Sequence, residues 1–273
     1  MKRPLIALSL LAGLALSLGG CVVIDTKEQV KTFPVPYIAG SPVNVKAHNG
    51  HIKVKKAAGA EVQVIATLRM QSDERLNATV ISANRDGKGT LVIVATPPDN
   101  KWLSSEGCAF DITVPDAVGV TLTSDNGRIE ATGLAGAAEL KTSNGAIVIQ
   151  SHDGPVTAES RNGRVEVSSA AGPVRCSTSN GAVKVSLGPS NSGPVQIDTS
   201  NGAISLALSR SFAGTISAST SNGSISTPDI ESRHPSIDVN RVGARKASVK
   251  VGPGGTTSTL STSNGSISIS FTE

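Results

Sequence analysis

Aromatic side chains are scarce in this 273-residue chain, where they make up 2% of the residues and include a single Trp. A surface that stacks sugars or bases along its length needs rows of aromatic rings, so this composition does not indicate one. Strong helical periodicity is also missing after the first 20 residues, whereas Val, Ile and Thr are frequent and 28 Gly and 14 Pro separate them. These features predict an all-β chain.

Excess charge is also nearly absent, with 25 Lys and Arg against 21 Asp and Glu. Lys2 and Arg3 lie in a segment that we expect to be removed, which leaves 23 basic residues against 21 acidic ones. A nucleic-acid partner needs a stronger excess of positive charge, so we predict none. One local basic cluster is interpreted as a solvated face: Arg241, Arg245, Lys246 and Lys250.

The first 21 residues have the order of a bacterial export signal. Lys2 and Arg3 precede an apolar run, residues 5–18, that is too short to span a bilayer comfortably. The run ends in Leu18-Gly19-Gly20-Cys21, which resembles the lipobox of bacterial lipoproteins. The resemblance implies that residues 1–20 are a lipoprotein signal peptide and that Cys21 carries the lipid, which would anchor the protein to a membrane. Since Val22 is not Asp, the same resemblance favours the outer membrane.

The dipeptide Asn-Gly occurs eight times, and the last seven copies follow a regular spacing of 18, 18, 18, 21, 21 and 42 residues. We interpret the last step as two steps of 21 with a degenerate unit between them. A period near 20 indicates a repeat architecture, which usually offers a long stacked surface. The first copy is Asn49-Gly50, and the repeated corners are Asn126-Gly127, Asn144-Gly145, Asn162-Gly163, Asn180-Gly181, Asn201-Gly202, Asn222-Gly223 and Asn264-Gly265.

Each corner is flanked by two segments in which apolar and polar residues alternate. Two places after the Gly stand residues such as Ile147, Val165 and Val183, and four places before the Asn stand Leu140, Ala158 and their equivalents. Such a period of two predicts a strand on each side of the corner, with one apolar face.

Two architectures fit these strands. In a right-handed parallel β-solenoid with repeats of about 18–21 residues, like residues stack and the corner Asn side chains form a hydrogen-bonded ladder. In the alternative, an antiparallel β-meander, each Asn-Gly closes a type I′ hairpin. We favour the solenoid because a meander would be an open sheet whose apolar face nothing covers.

The N-terminal part shows the same alternation around Asn49-Gly50 in a less regular form. We expect further strands at residues 79–81 and 90–95 and a loop at 96–108. The predicted organisation is a signal peptide at 1–20, a lipidated tether and first strand at 21–40, and one β-solenoid repeat domain at 41–273. The final segment, residues 266–271, is expected to be an exposed edge.

With these repeats the chain resembles the bacterial putative-adhesin β-strand-repeat family, a domain of unknown function in cell-envelope proteins. The resemblance covers about residues 33–273 and rests on Ser-Asn-Gly-x-Ile/Val-x-Val units such as residues 143–149 and 179–185, together with residues 110–116. It implies a β-helical fold and a location in the cell envelope. The family offers no motif of catalytic or binding residues that could be transferred to this chain.

Candidate catalytic and metal-binding groups are few. His48 and His51 flank a corner without further ligands, so we interpret them as exposed turn residues and predict no metal site. Cys108 and Cys176 could form a disulfide outside the cytoplasm, although their separation along the repeat argues against one. Glycoside hydrolysis requires two neighbouring carboxylates, which stacking of Glu159 with Glu166 or of Glu130 with Glu139 could supply.

The sequence therefore predicts a lipid-anchored cell-envelope repeat protein with a non-catalytic adhesion, scaffold or interaction role. The alternative is a polysaccharide-binding or polysaccharide-cleaving β-helix. We expect no cofactor, contact with the membrane through the N-terminal lipid, and a partner that is an envelope protein or a polysaccharide of unknown identity.

Overall fold

The computed structural model describes residues 26–191, 193–228, 230, 237–241 and 244–272. The signal segment and Cys21 lie outside the described residues, as does part of the step between Asn222 and Asn264. Within the described ranges the fold is all-β, with one short helix, α1 (Asp73–Ala78), and a 3-10 turn at Pro98–Asn100. The strands are β1 (Lys27–Pro36), β2 (Val43–Ala47), β3 (Ile52–Lys56), β4 (Glu61–Met70), β5 (Val80–Arg85), β6 (Leu91–Thr96), β7 (Gly107–Val114), β8 (Val118–Ser124), β9 (Ile129–Thr132), β10 (Ala135–Thr142), β11 (Ile147–Gln150), β12 (Val156–Asn162), β13 (Val165–Ala170), β14 (Val174–Asn180), β15 (Val183–Leu187), β16 (Val195–Asn201), β17 (Ile204–Leu208), β18 (Gly214–Asn222), β19 (Ile225–Ser226), β20 (Ile237–Arg241), β21 (Lys246–Val251), β22 (Thr256–Asn264) and β23 (Ile267–Phe271).

These strands form two mixed sheets. Sheet A has 11 strands in the order β1-β4-β7-β3-β9-β11-β13-β15-β17-β23-β19. Sheet B has 12 strands in the order β20-β21-β18-β22-β16-β14-β12-β10-β8-β2-β6-β5. We use the word coil for one strand of sheet B, the corner after it, and the following strand of sheet A. Each Asn-Gly corner therefore carries the chain from sheet B to sheet A.

Equivalent residues of successive coils lie directly beside one another in parallel register. Ile147 pairs with Val165, and Val165 pairs with Val183. All three side chains are at most 1% exposed. On sheet B, Leu140, Ala158 and their equivalents form a second buried column. The two apolar faces pack against each other, since a single cluster of buried residues extends through both sheets. This parallel stacking is consistent with a solenoid-like arrangement.

The antiparallel meander is excluded by the same pairing. The strands on either side of a corner, such as β8 and β9, belong to different sheets and do not form a hairpin. A type I′ hairpin needs positive φ at both turn residues, but Asn49 is the one corner Asn with positive φ, and its partner Gly50 has none. Among the described strands, antiparallel pairs are confined to the two ends of the stack.

At the C-terminal end, the order of the coils in space differs from their order in sequence. β22 lies between β16 and β18, and β23 lies between β17 and β19. The expectation that residues 266–271 form an exposed edge was therefore wrong, because β23 has a partner on each side. The degenerate unit expected between Asn222 and Asn264 was also wrong. The described residues of that step include β20 and β21, which pair antiparallel to each other at the edge of sheet B beyond β18.

The N-terminal end repeats this departure from chain order. β6 and β7 form a coil that lies outside the coil of β2 and β3. Antiparallel strands β4 and β1 extend sheet A beyond this coil, and β5 extends sheet B. The strands expected at residues 79–81 and 90–95 correspond to β5 and β6. Helix α1 was missed, although Ser72 caps its N-terminus and Leu76 is buried beneath it.

Candidate functional site

The repeated corners form a continuous ladder along one edge of the two sheets. Each corner Asn other than Asn49 donates a hydrogen bond from Nδ2 to the Oδ1 of the Asn in a neighbouring coil, at 2.5–2.9 Å. Through these bonds the Asn side chains satisfy one another rather than leaving a row of free groups. The ladder follows the spatial order Asn49, Asn126, Asn144, Asn162, Asn180, Asn201, Asn264 and Asn222.

A second ladder of hydroxyl groups lies inside the corners. At every corner except that of Asn49, the residue two places before the Asn is a buried Ser or Thr whose hydroxyl donates to the carbonyl oxygen of the corner Gly in the neighbouring coil at 2.9–3.1 Å. An unpaired buried carbonyl would cost about 1–3 kcal/mol, so each hydroxyl stabilises the stack. The sequence shows this column only as a run of small polar residues before the corner. The members are Ser124, Thr142, Ser160, Thr178, Thr199, Thr220 and Thr262.

The corner glycines are required by close approach of the coils rather than by backbone conformation. A Cβ atom placed on Gly163 would lie 2.0 Å from the carbonyl oxygen of Gly145, and the other repeated corners give nearly the same distance. None of the corner glycines has a positive φ. The two ladders and the glycine contacts therefore account for the Asn-Gly repeat as a structural spine.

The ladder ends at a ten-residue loop, residues 97–106, that replaces the two-residue corner in the outermost coil. Asn49 Nδ2 donates to the carbonyl oxygens of Glu106 at 2.9 Å and Ser104 at 3.3 Å. The carboxylate of Glu106 is fully buried and receives Nε and Nη2 of Arg75 at 2.6 and 2.7 Å. Burial alone would raise the pKa of Glu106, but the bonds from Arg75 and from the backbone N–H groups of Leu103 and Gln71 outweigh it and lower the pKa.

The same loop brings the only Trp of the chain against a histidine of the neighbouring coil. The rings of Trp102 and His48 stack with centroids 5.3 Å apart and planes 17° apart. His48 Nδ1 lies 2.7 Å from Asp125 Oδ2, so the carboxylate fixes the imidazole from its other side. These two contacts hold the His48 side chain in one position, which corrects its interpretation as an exposed turn residue.

These three side chains line a half-open cavity of about 250 Å³ on the outer side of sheet B. Apolar groups form part of the lining, and polar groups surround them. The remaining lining residues are Lys46, Ala47, Val94, Ala95, Thr96, Pro97 and Asn100. A concave site with an aromatic wall and convergent polar groups is the usual form of a small-ligand pocket. No sequence pattern indicates this pocket, because Trp102, His48 and Asp125 come from three different coils.

Charged side chains on the outer side of sheet A form pairs. His51 Nε2 lies 3.0 Å from Asp111 Oδ2, so this histidine also has a carboxylate partner. Glu130 contacts both Arg128 and Lys53. Among the described residues, no three His, Cys, Asp or Glu side chains come together in a way that could hold a metal ion.

The two carboxylate pairs considered for glycoside hydrolysis are not brought together. Glu159 lies on β12 of sheet B and Glu166 on β13 of sheet A, and the pair Glu130 and Glu139 is divided in the same way. Because the apolar faces of both sheets point inward, these carboxylates project from opposite sides of the protein. Neither pair can act on the two sides of one glycosidic bond.

Cys108 and Cys176 are both free and buried. They lie in different sheets and are separated by five coils, which corresponds to about 24 Å at roughly 4.8 Å per strand. A disulfide between them is therefore excluded by distance. Burial raises the pKa of each thiol to about 12, so both are inert core residues.

Comparisons with known proteins agree with the resemblance seen in the sequence. Residues 172–273 match the model of a family described as a domain of unknown function, DUF7330. This segment begins just before β14 and includes the region in which coil order departs from chain order. A comparison with curated proteins gives no match. No helix within the described residues is long and apolar enough to cross a membrane.

Two solved bacterial structures are similar over most of the chain. One is described as a putative adhesin from Bacteroides fragilis; it is 14% identical with a TM-score of 0.45, and the match covers 88% of this chain and 97% of that one. The other is described as a putative cell adhesion protein from Clostridium sporogenes; it is 13% identical with a TM-score of 0.37, and the match covers 91% and 100% of the two chains.

Proposed function

We propose that this protein is a lipid-anchored repeat protein of the cell envelope and that it acts without catalysis, as an adhesion, scaffold or interaction module. The observation that carries the proposal is the lipobox-like sequence Leu18-Gly19-Gly20-Cys21, which follows a short apolar segment and precedes a repeat body. Acyl chains on Cys21 would hold the body at the membrane surface. Val22, in place of an Asp, favours the outer membrane.

The surface chemistry of the body supports a non-catalytic role. Several of its outward charges form neighbouring pairs, such as Lys141 with Glu159 at 3.3 Å and His51 with Asp111 at 3.0 Å. Paired charges on two broad walls suit recognition over an extended surface, as in other repeat proteins. The partner would be an envelope protein or an envelope polysaccharide.

The parallel coils also support the finer description of the fold as a right-handed β-solenoid. From β8 to β17, neighbouring parallel strands of one sheet are joined through a single strand of the other sheet, and such crossovers are right-handed in about 98% of cases. An experimental density map at side-chain resolution tests this, and coils of left-handed winding would refute it.

The test of the anchor is the substitution Cys21→Ser in the full chain. We expect the variant to lose labelling by a radioactive fatty acid and to leave the membrane fraction. The matched control is Cys176→Ala, which changes a buried cysteine to the residue that the same column already holds at Ala158. The control should stay labelled and membrane-bound. Unchanged labelling and fractionation of Cys21→Ser would refute the anchor.

A further inference from the structure

The pocket beside Trp102 differs from the rest of the described surface. Elsewhere the repeated corners consist of two residues and stack without a gap, whereas residues 97–106 project from the outermost coil and carry the only Trp. The stacked rings of Trp102 and His48 are fixed by the bond to Asp125 and by the loop contacts of Asn49. A wall that is already ordered loses little conformational entropy when a ligand binds.

The hydrogen-bonding groups of the pocket include both donors and acceptors. Asp125 uses Oδ2 for His48, and its Oδ1 has no hydrogen-bond partner among the described residues. His48 Nδ1 faces a carboxylate and therefore donates, and Nε2 of the same ring likewise has no partner in the described part of the chain. Lys46 and Asn100 supply donors at the rim. A ligand hydroxyl group can both donate and accept a hydrogen bond. Hydroxyl groups therefore match these donors and acceptors better than a group that can only donate or only accept.

The charges of the pocket favour neither an anion nor a cation. The lining contains one carboxylate, Asp125, and one ammonium group, Lys46. An anion would be attracted by Lys46 and repelled by Asp125, and a cation would meet the reverse, so the two charges give neither sign a net advantage. The best occupant is therefore neutral, with hydroxyl groups around it and an apolar face for the ring of Trp102.

The size of the pocket limits how much of a ligand it can enclose. Its volume of about 250 Å³ lies below the usual range of roughly 300–1,000 Å³ for pockets that enclose a drug-sized molecule. It is also half open, so a chain can enter from solvent and continue beyond the site. One ring of a longer molecule fits this shape.

From these observations we propose that the pocket formed by His48, Trp102 and Asp125 binds one neutral pyranose ring of a glycan chain. The apolar face of the sugar packs on the exposed part of Trp102, and the ring hydroxyls bond to Asp125, His48 and Asn100. This assigns one possible partner of the envelope module to a specific site. The proposal does not require the lipid anchor, since the pocket belongs to the folded body.

The single Trp makes the test direct, because its fluorescence reports from the proposed site alone. The full chain is purified in a sugar-free detergent and titrated with tetrasaccharides of glucose, of mannose and of N-acetylglucosamine. Two other ligands are titrated for comparison: adenosine, which is planar and neutral, and tripolyphosphate, which is an anion. We expect at least one tetrasaccharide to give a saturable change in Trp emission at millimolar concentration or below, and neither adenosine nor tripolyphosphate to bind more tightly.

Variants decide whether the saturable change comes from the pocket. Asp125→Ala should weaken binding roughly tenfold, as expected for losing a hydrogen bond to a charged group. The matched control Asp198→Ala removes an outward carboxylate of the same sheet four coils away and should leave binding unchanged. Trp102→Ala, measured by calorimetry, should weaken binding about fivefold. Far-UV circular dichroism during heating verifies that each variant is folded.

The results that overturn the proposal are equally specific. It is refuted if none of the tetrasaccharides gives a saturable change, or if adenosine or tripolyphosphate binds more tightly than all of them. It is also refuted if folded Asp125→Ala and Trp102→Ala bind sugar as the unmodified chain does. None of these outcomes bears on fatty-acid labelling of Cys21, so failure of the sugar site and failure of the lipid anchor are distinguished.

Discussion

Substitution of a corner glycine tests the reason for the repeat itself. In Gly163→Ala the new Cβ would lie 2.0 Å from the carbonyl oxygen of Gly145, a distance at which real Cβ atoms are not found. The two coils must therefore separate by about 1 Å at this corner, and a packed interior cannot absorb such a shift without losing contacts. The bonds at risk join these two coils: Asn162 N–H to the Ser143 carbonyl at 2.8 Å, the Asn162 side chain to Asn144 at 2.8 Å and the Ser160 hydroxyl to the Gly145 carbonyl at 2.9 Å.

Three hydrogen bonds at about 1 kcal/mol each give a loss of roughly 3 kcal/mol in the free energy of unfolding. The matched control is Gly87→Ala in a surface turn, where an added Cβ meets nothing within 4 Å and φ is not positive. We expect the control to change stability by less than about 1 kcal/mol, in the stabilising direction, because Ala restricts the unfolded chain.

Urea unfolding followed by circular dichroism measures both variants, and hydrogen exchange locates the effect. Amide protons of β11 to β15 should exchange faster in Gly163→Ala, while those of β1 and β4 keep their protection. If Gly163→Ala is as stable as Gly87→Ala, the corners do not require glycine for close approach and the account of the spine fails.

Three further results are expected. Glu106→Gln should lower the free energy of unfolding by about 3 kcal/mol at pH 7, because it breaks the buried pair with Arg75. Since the pKa of Glu106 is lowered in the folded protein, the difference between the variant and the unmodified chain should shrink as pH falls below about 4. A difference that does not change with pH in melts followed by Trp fluorescence would contradict this. Ending the chain after Gly252 removes β22 and β23 and should make β18 and β19 sensitive to protease, and a truncated chain that stays protected and monomeric would refute the inserted position of these strands. Burial lowers the pKa of His152, so the unfolded chain takes up the proton first and stability falls as pH drops below about 6.5. His152→Leu introduces the residue found one coil earlier at Leu134, and it should reduce the change of melting temperature with pH between about 7.5 and 5.5. If that change is the same in the variant, other groups cause it.

The strands and corners could be predicted from the alternation of apolar and polar residues and from the repeat period. Columns such as Ile147, Val165 and Val183 could be aligned from the sequence because parallel stacking places identical offsets at the same height. The role of the hydroxyl column could not be read from the sequence, since alternation separates apolar from polar residues but does not separate a solvated polar residue from a buried one. Thr178 is buried because the carbonyl of Gly163 needs a donor, and that carbonyl is found only by stacking the coils.

The candidate pocket could not be predicted from the sequence, for a different reason. Its ring pair joins His48 to Trp102, and its carboxylate comes from Asp125, so the three residues meet only after three coils have been stacked in the correct order. That order is not the chain order, because the coil of β6 and β7 lies outside the coil of β2 and β3. A stack built in chain order would have placed the coil of β6 and β7 between His48 and Asp125, and these two side chains could not have met.

The long step between Asn222 and Asn264 shows how the same spacing can arise from two topologies. A regular advance of two coils would give 42 residues, and so does the path observed here, in which the chain runs outward past β18 before β22 returns inside it. Only the second path makes Asn264 the partner of both Asn201 and Asn222. In the folded protein β18 joins the body only through β22, so we expect the coil of β18 and β19 to pack only once residues 256–271 are in place. The C-terminal strands therefore close the stack as an inserted element rather than extend it by one more coil.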